Sequence, residues 1–308
     1  MIRSATFLPF LLLLTSACAH AEAQHGIMVR VAIIRITPDE SSQKIGTTGR
    51  GREVVVLGQN HEWINVFANV DQGRDITGWI LDKGVVRPAT PNGDRVVFAA
   101  AEESEDQASR SHGRPGAAQD AMRLYASLAE LFPKSPLAGE ALYRAADIRW
   151  QIESVDVISL PSAKEQDPLL RSRIDEDHMR EVIKKFPHTK WADLAAYHLL
   201  DNQVCGDWQG QSKCPERETD IYEKYVREHP QSPKAAEALY NAAWRQAALI
   251  QIYKTENESA RSDQAKSKAT ALANEVATTY PDSTWANRAL LLAYMIEQDI
   301  PTYGSATE

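Results

Sequence analysis

Four times along this chain an aromatic residue or histidine stands before proline, followed by Ser or Thr and then by two alanines three apart. The copies are Phe132-Pro133 with Ser135, Ala138 and Ala141; Phe186-Pro187 with Thr189, Ala192 and Ala195; His229-Pro230 with Ser232, Ala235 and Ala238; and Tyr280-Pro281 with Ser283, Ala286 and Ala289. Proline has no amide hydrogen and disfavours helix in the residue before it, so each copy ends a helix. The hydroxyl residue accepts a hydrogen bond from the free amides that open the next one. Alanines three apart share a face of that second helix, where small side chains let helices approach closely. A helix–turn–helix unit recurring about every forty to fifty residues predicts a helical solenoid, whose long surface suits binding better than chemistry.

The apolar spacing agrees from Ala117 to Thr302. Leu124, Tyr125 and Leu128 mark the first helix of unit one, and Ala141, Leu142 and Ala145 mark its partner. Unit two is expected to start near Leu169-Leu170 and to run through Met179, Val182 and Phe186. Tyr222 and Tyr225 face Ala238 and Leu239 in unit three; Leu272 and Val276 face Ala289 and Leu290 in unit four. Extra residues fall around Leu160-Pro161, between Cys205 and Cys214, and from Lys254 to Asp263. They are expected as loops or extended helices at the solenoid edge.

Residues 27–90 carry a different period. Val29-Val31-Ile33 and Glu53-Val54-Val55-Val56-Leu57 are β-branched runs, while Trp63-Ile64-Asn65-Val66 and Gly78-Trp79-Ile80-Leu81 alternate with period two. Turn residues separate them, among them Gly49-Arg50-Gly51 and Asp71-Gln72-Gly73. Such short strands predict a small closed barrel, which hides its own edges. Trp63 and Trp79 are candidate ligand contacts as an aromatic platform; the competing reading makes them barrel core. Residues 91–116 read as a linker, rich in Pro, Gly and acid, interrupted by the apolar patch Val96 to Ala101. That patch either adds a strand to the barrel or docks against the first helix.

The ends point to export. Arg3, the apolar run Phe7 to Leu14 and the small residues that follow read as a signal peptide over residues 1–21. The run is shorter than the roughly twenty apolar residues that span a bilayer. Leu14-Thr15-Ser16-Ala17-Cys18 resembles a bacterial lipobox, which implies lipidation of Cys18 and, with no aspartate following it, the outer membrane. Cleavage after Ala19-His20-Ala21 is the alternative. The other two cysteines, Cys205 and Cys214, bracket a polar, glycine-bearing stretch, and in an exported chain such a pair is expected as a disulfide.

Two family resemblances follow. Ile45-Gly46, Gly51 to Gly58, Trp63 to Val66 and Thr77-Gly78-Trp79-Ile80 together resemble the bacterial SH3-like domain, although its usual early Asn-Val-Arg element reads Ala32-Ile33-Ile34-Arg35 here. That resemblance implies a ligand in the cell wall or a peptide. Residues 117–302 resemble tetratricopeptide repeats of the envelope type, joined by aromatic-Pro-x-Ser, which occur in outer-membrane assembly lipoproteins of the BamD kind and in Tol–Pal-associated proteins. The resemblance implies protein partners, and Tyr240, Trp244 and Arg245 are the candidate contacts on the helices.

No enzyme is expected. The eight histidines are scattered, and there is no His-Glu-x-x-His helix, Gly-x-Ser-x-Gly elbow or phosphate loop. No catalytic residue, metal ligand or cofactor is therefore assigned. The clusters Glu176-Asp177-His178 and Glu216, Glu218, Asp220 read as solvated helix starts, where acids meet the positive end of the helix dipole. A formal net charge of −8 and the lack of a basic footprint exclude nucleic acid as a partner. The expected function is an envelope scaffold binding other proteins through its helices and a peptide or peptidoglycan through its β domain. The alternatives are an outer-membrane assembly component of the BamD kind and an accessory to, or cryptic form of, a cell-wall hydrolase.

Overall fold

A computed structural model describes residues 24–70 and 73–304. Cys18, the expected signal peptide, and Asp71 and Gln72 of one expected turn lie outside the described residues. The chain forms an antiparallel sheet followed by helices. The strands are β1 (Gln24–Met28), β2 (Ala32–Arg35), β3 (Lys44–Thr48), β4 (Glu53–Asn60), β5 (Trp63–Val70), β6 (Arg74–Leu81) and β7 (Val85–Val86). Their order is β3-β2-β6-β5-β4-β1-β7. The alternation along β5 sends Ile64, Val66, Ala68 and Val70 inward to meet Met28, Ile34, Val54 and Ile80. Two expectations are corrected here. The run from Val29 to Ile33 is broken by a bend at Val29 and Arg30, and the sheet is open, with β3 and β7 at its ends. The β7 end lies against the helical part, where Val86 joins a core with Val97 and Phe98.

The stretch expected as a linker is mostly helix. Residues Gly93–Ser109 form α1, which buries Val97, Phe98, Ala101 and Ser104 on one face. Its acids read as linker composition but face partners: Glu103 pairs with Arg50, and Glu105 with Arg144 and the Tyr125 hydroxyl. Val97 and Phe98 share one core with Ile27 and Val86 of the sheet and with Leu124, Tyr125 and Leu128 of the next helix. The apolar patch therefore docks on the first repeat as a helix and joins it to the sheet. Gly51 completes the seam: its φ is +70°, and a Cβ there would lie 2.6 Å from Arg123 Cβ.

Among the described residues eight further α-helices follow in four pairs: α2 (Ala117–Leu131) with α3 (Ala138–Ser159), α4 (Asp177–Lys185) with α5 (Lys190–His198), α6 (Lys213–Glu228) with α7 (Ala235–Thr255), and α8 (Ser259–Thr279) with α9 (Thr284–Glu297). Every pair turns in the same way. Phe132, Phe186, His229 and Tyr280 end their helices at φ/ψ of −124°/57°, −129°/54°, −131°/55° and −125°/54°. The Thr189 hydroxyl oxygen accepts from the Ala192 amide at 3.3 Å, and that of Ser283 accepts from Trp285 at 3.1 Å. Ser135 and Ser232 accept from Leu137 at 3.2 Å and Lys234 at 3.1 Å. In these two turns the helix begins later than expected, at Ala138 and Ala235, and the serine hydroxyl instead holds the amide that follows Pro136 or Pro233. All eight alanines of the motif are buried. Unit two also starts later than expected: Leu169 and Leu170 are exposed in the α3–α4 connection, at 80% and 65%.

Successive units meet through one recurring contact. The fifth residue after the first motif alanine is Tyr143, Tyr197 and Tyr240 in units one to three. Each lies under the residue that precedes the first motif alanine of the next unit. Tyr143 stacks on Trp191 with ring centroids 5.6 Å apart, the Lys234 ammonium lies 5.3 Å from the Tyr197 ring centroid, and Tyr240 meets Trp285 at 5.0 Å. Burial raises all three phenol pKa values above the ordinary tyrosine value.

Replacing Ser135, Thr189, Ser232 or Ser283 by alanine is expected to cost about 0.5–2 kcal/mol each. The four turns are separate, so the losses should nearly add. Urea unfolding of the single and quadruple variants measures them; wild-type midpoints throughout would show that the hydroxyls do not hold the turns.

Candidate binding site

Cys205 and Cys214 form a disulfide, with Cα atoms 6.1 Å apart. Both are buried, and the loop they close is wired to its surroundings through Glu218. Glu218 is 1% exposed. One carboxylate oxygen accepts from the Cys205 amide at 2.9 Å and from the Trp208 indole at 3.1 Å; the other accepts from Arg245 Nε at 2.9 Å. The Arg245 guanidinium lies 4.6 Å from the Tyr222 ring centroid and 5.3 Å from that of Trp244. Trp244 in turn meets Trp208 at 5.2 Å.

Glu218 therefore corrects the expectation of a solvated helix face, since its carboxylate is buried and accepts from three groups. Its neighbour Glu216 pairs with Arg261 and Tyr253. Glu176 accepts from Asn202 and pairs with Arg173 and Arg180. The three candidate contacts on the helices are brought into two places rather than one. Trp244 and Arg245 pack under the disulfide loop, while Tyr240 lies in the junction between units three and four.

The loop is held from the other side by the α3–α4 connection. The Gly206 amide donates to Glu165 O at 3.1 Å, and Arg171 donates to Val204 O at 2.6 Å. A Cβ on Gly206 would lie 2.5 Å from that Glu165 oxygen, so this close approach of the two backbones requires glycine. Two of the insertions thus bind each other.

On the β domain, Trp63 and Trp79 occupy diagonal positions of the β5–β6 ladder, where Trp63 faces Leu81 and Asn65 faces Trp79. Alternation puts both on the face opposite Ile64, Val66 and Ile80, outside the cluster those residues form. Trp63 is nonetheless buried at 7% and Trp79 is half-buried. Phe67, exposed at 42%, lies on the same face.

The larger opening was not legible in the sequence, because it lies between the two parts of the fold. A cleft of about 660 Å³ is lined by Gln24 and His25 of β1, by Arg87, Pro88 and Ala89 after β7, and by Glu130 and Leu131 of α2. A second, of about 200 Å³, shares His25, Glu130 and Leu131 and adds Glu53 and Ser127. A third, of about 170 Å³, touches Glu130 from its other side and runs on to Arg149 of α3 and His178 of α4. Charged side chains of both signs and apolar side chains line these openings together.

Among the described residues no group of three or more His, Cys, Asp or Glu side chains is placed to hold a metal ion, and no helix is long and apolar enough to cross a membrane. No protein-family model matches the chain, and no curated protein matches it.

Glu218→Ala is expected to destabilise the fold by about 3–5 kcal/mol, since Arg245 is left as a buried charge without its partner. Reducing the disulfide, which closes a short loop, should cost at most about 2–3 kcal/mol. Guanidinium unfolding of the variant and of the reduced protein gives both values; a Glu218→Ala loss smaller than the disulfide's would contradict the central place given to the carboxylate.

Proposed function

We propose that this chain is a non-enzymatic scaffold of the bacterial envelope, an SH3-like β domain fused to tetratricopeptide-like repeats. The observation that carries the reading is the fourfold turn, with one backbone geometry at Phe132, Phe186, His229 and Tyr280 and one tyrosine position that meets the next unit at each junction. Stacked units of this kind display long surfaces that suit protein partners. The line of clefts through Glu130 is the place proposed for a peptide or for peptidoglycan, with Trp79 and Phe67 as a second surface on the sheet.

Export by residues 1–21 and lipidation of Cys18 would tether the scaffold to the outer membrane and raise its effective concentration toward partners there. Replacing Cys18 by serine is expected to move the protein from the membrane pellet to the soluble periplasmic fraction and to abolish labelling by a fatty-acid probe. A wild-type protein that is soluble and begins near Glu22 would overturn the anchor and leave ordinary secretion.

Partner binding is tested by crosslinked capture from native envelopes with wild type and Leu131→Glu. Capture of defined envelope proteins that the variant loses supports the cleft. Recovery of the barrel-assembly machinery would favour the BamD-like role. Soluble fragments released from purified peptidoglycan would overturn the non-enzymatic reading.

A further inference from the structure

The repeat register marks an uncovered interface at the last unit. Counting from the first motif alanine of each second helix, the fourth residue is Leu142, Ala196, Leu239 and Leu290, and the fifth is Tyr143, Tyr197, Tyr240 and Leu291. The eighth is Ala146, Leu200, Ala243 and Tyr294. In units one to three these positions pack against the following unit: Leu142 and Ala146 sit in a core with Met179 and Val182, Leu200 in one with Tyr222 and Tyr225, and Leu239 and Ala243 in one with Leu272 and Val276. In unit four the same positions are bare. Leu290, Leu291 and Tyr294 are 54%, 59% and 56% exposed. Terminal repeats that meet only water are polar on their outer face; this one keeps the apolar set of an internal repeat.

The described residues after α9 do not cover it. Asp299 pairs with Lys266 of α8, and Tyr303 lies on Trp208 at the disulfide loop, with centroids 5.4 Å apart. A head-to-tail copy cannot serve as a fifth unit either, because the outer side of unit one is already filled by α1 through Val97 and Phe98. That leaves the face to meet its own equivalent.

The charges fit such a pairing. Arg288 and Glu297 flank the apolar trio at its two ends, and both are exposed. If two α9 helices cross antiparallel about an axis between Leu292 and Ala293, Leu291 of one meets Tyr294 of the other and each Arg288 approaches the opposite Glu297. The geometry points to a twofold homodimer in which the second copy of this chain covers Leu290, Leu291 and Tyr294. A closed isologous contact of this kind stops at two copies instead of growing into a filament.

Sedimentation equilibrium of the full mature chain tests it. Wild type should approach twice the protomer mass over the micromolar range, and Leu291→Glu should sediment as a monomer with an unchanged circular-dichroism melting curve. Arg288→Glu and Glu297→Arg should each weaken the dimer at least tenfold, and the double reversal should restore it. The pairing is overturned if wild type stays monomeric throughout, or if a dimer forms that neither Leu291→Glu nor the single charge reversals affect.

Discussion

The helical part depends on a tyrosine held under the next unit's first turn. Tyr143, Tyr197 and Tyr240 sit at the same register position, and Trp191, Lys234 and Trp285 each precede the alanine that opens the following contact. The turn and the junction work together. Proline fixes where one helix leaves, the hydroxyl accepts a free amide of the turn that follows, and the buried alanines let the pair close. The residue just before the first alanine is then carried back over the preceding unit's tyrosine. Variation in helix length and loop size is tolerated because none of it disturbs this short stretch. The 22-residue α3 and the nine-residue α5 obey the same rule.

Much of this was legible because it is local. The exit of each helix and the alanine face are set within ten residues, and the structure has them at all four sites; the hydroxyl residue is the helix cap itself at Thr189 and Ser283. What was not legible depended on distant partners. The helix at Gly93–Ser109 carries so much acid that it reads as linker, and its role emerges only when Arg50 and Arg144 are brought to Glu103 and Glu105. Glu218 looks like a surface acid at a helix start until Arg245, Trp208 and the Cys205 amide converge on it. The strand pattern showed the β character of residues 27–90 but not the open order of the sheet, since β7 is two residues long and is completed by helix packing.

The β domain and the repeats are joined by a shared core rather than a tether. Ile27 and Val86 of the sheet are buried with Phe98, Leu124 and Leu128, and Gly51 lies against the backbone of α2. Two of the clefts beside Glu130 are lined from both sides of that seam, and a ligand seated there would touch sheet and helix at once. On the proposed reading, the sheet and the solenoid present one composite surface. A lipid anchor a few residues before β1 would hold that surface close to the membrane.

The recurring junction is tested most directly by double-mutant cycles on Tyr143 with Trp191 and on Tyr240 with Trp285, read by equilibrium unfolding. Aromatic pairs of this geometry are worth about 0.5–1.5 kcal/mol beyond the area they bury. Coupling of that size at both sites is the predicted result. Additive losses at both, with no coupling, would contradict the account.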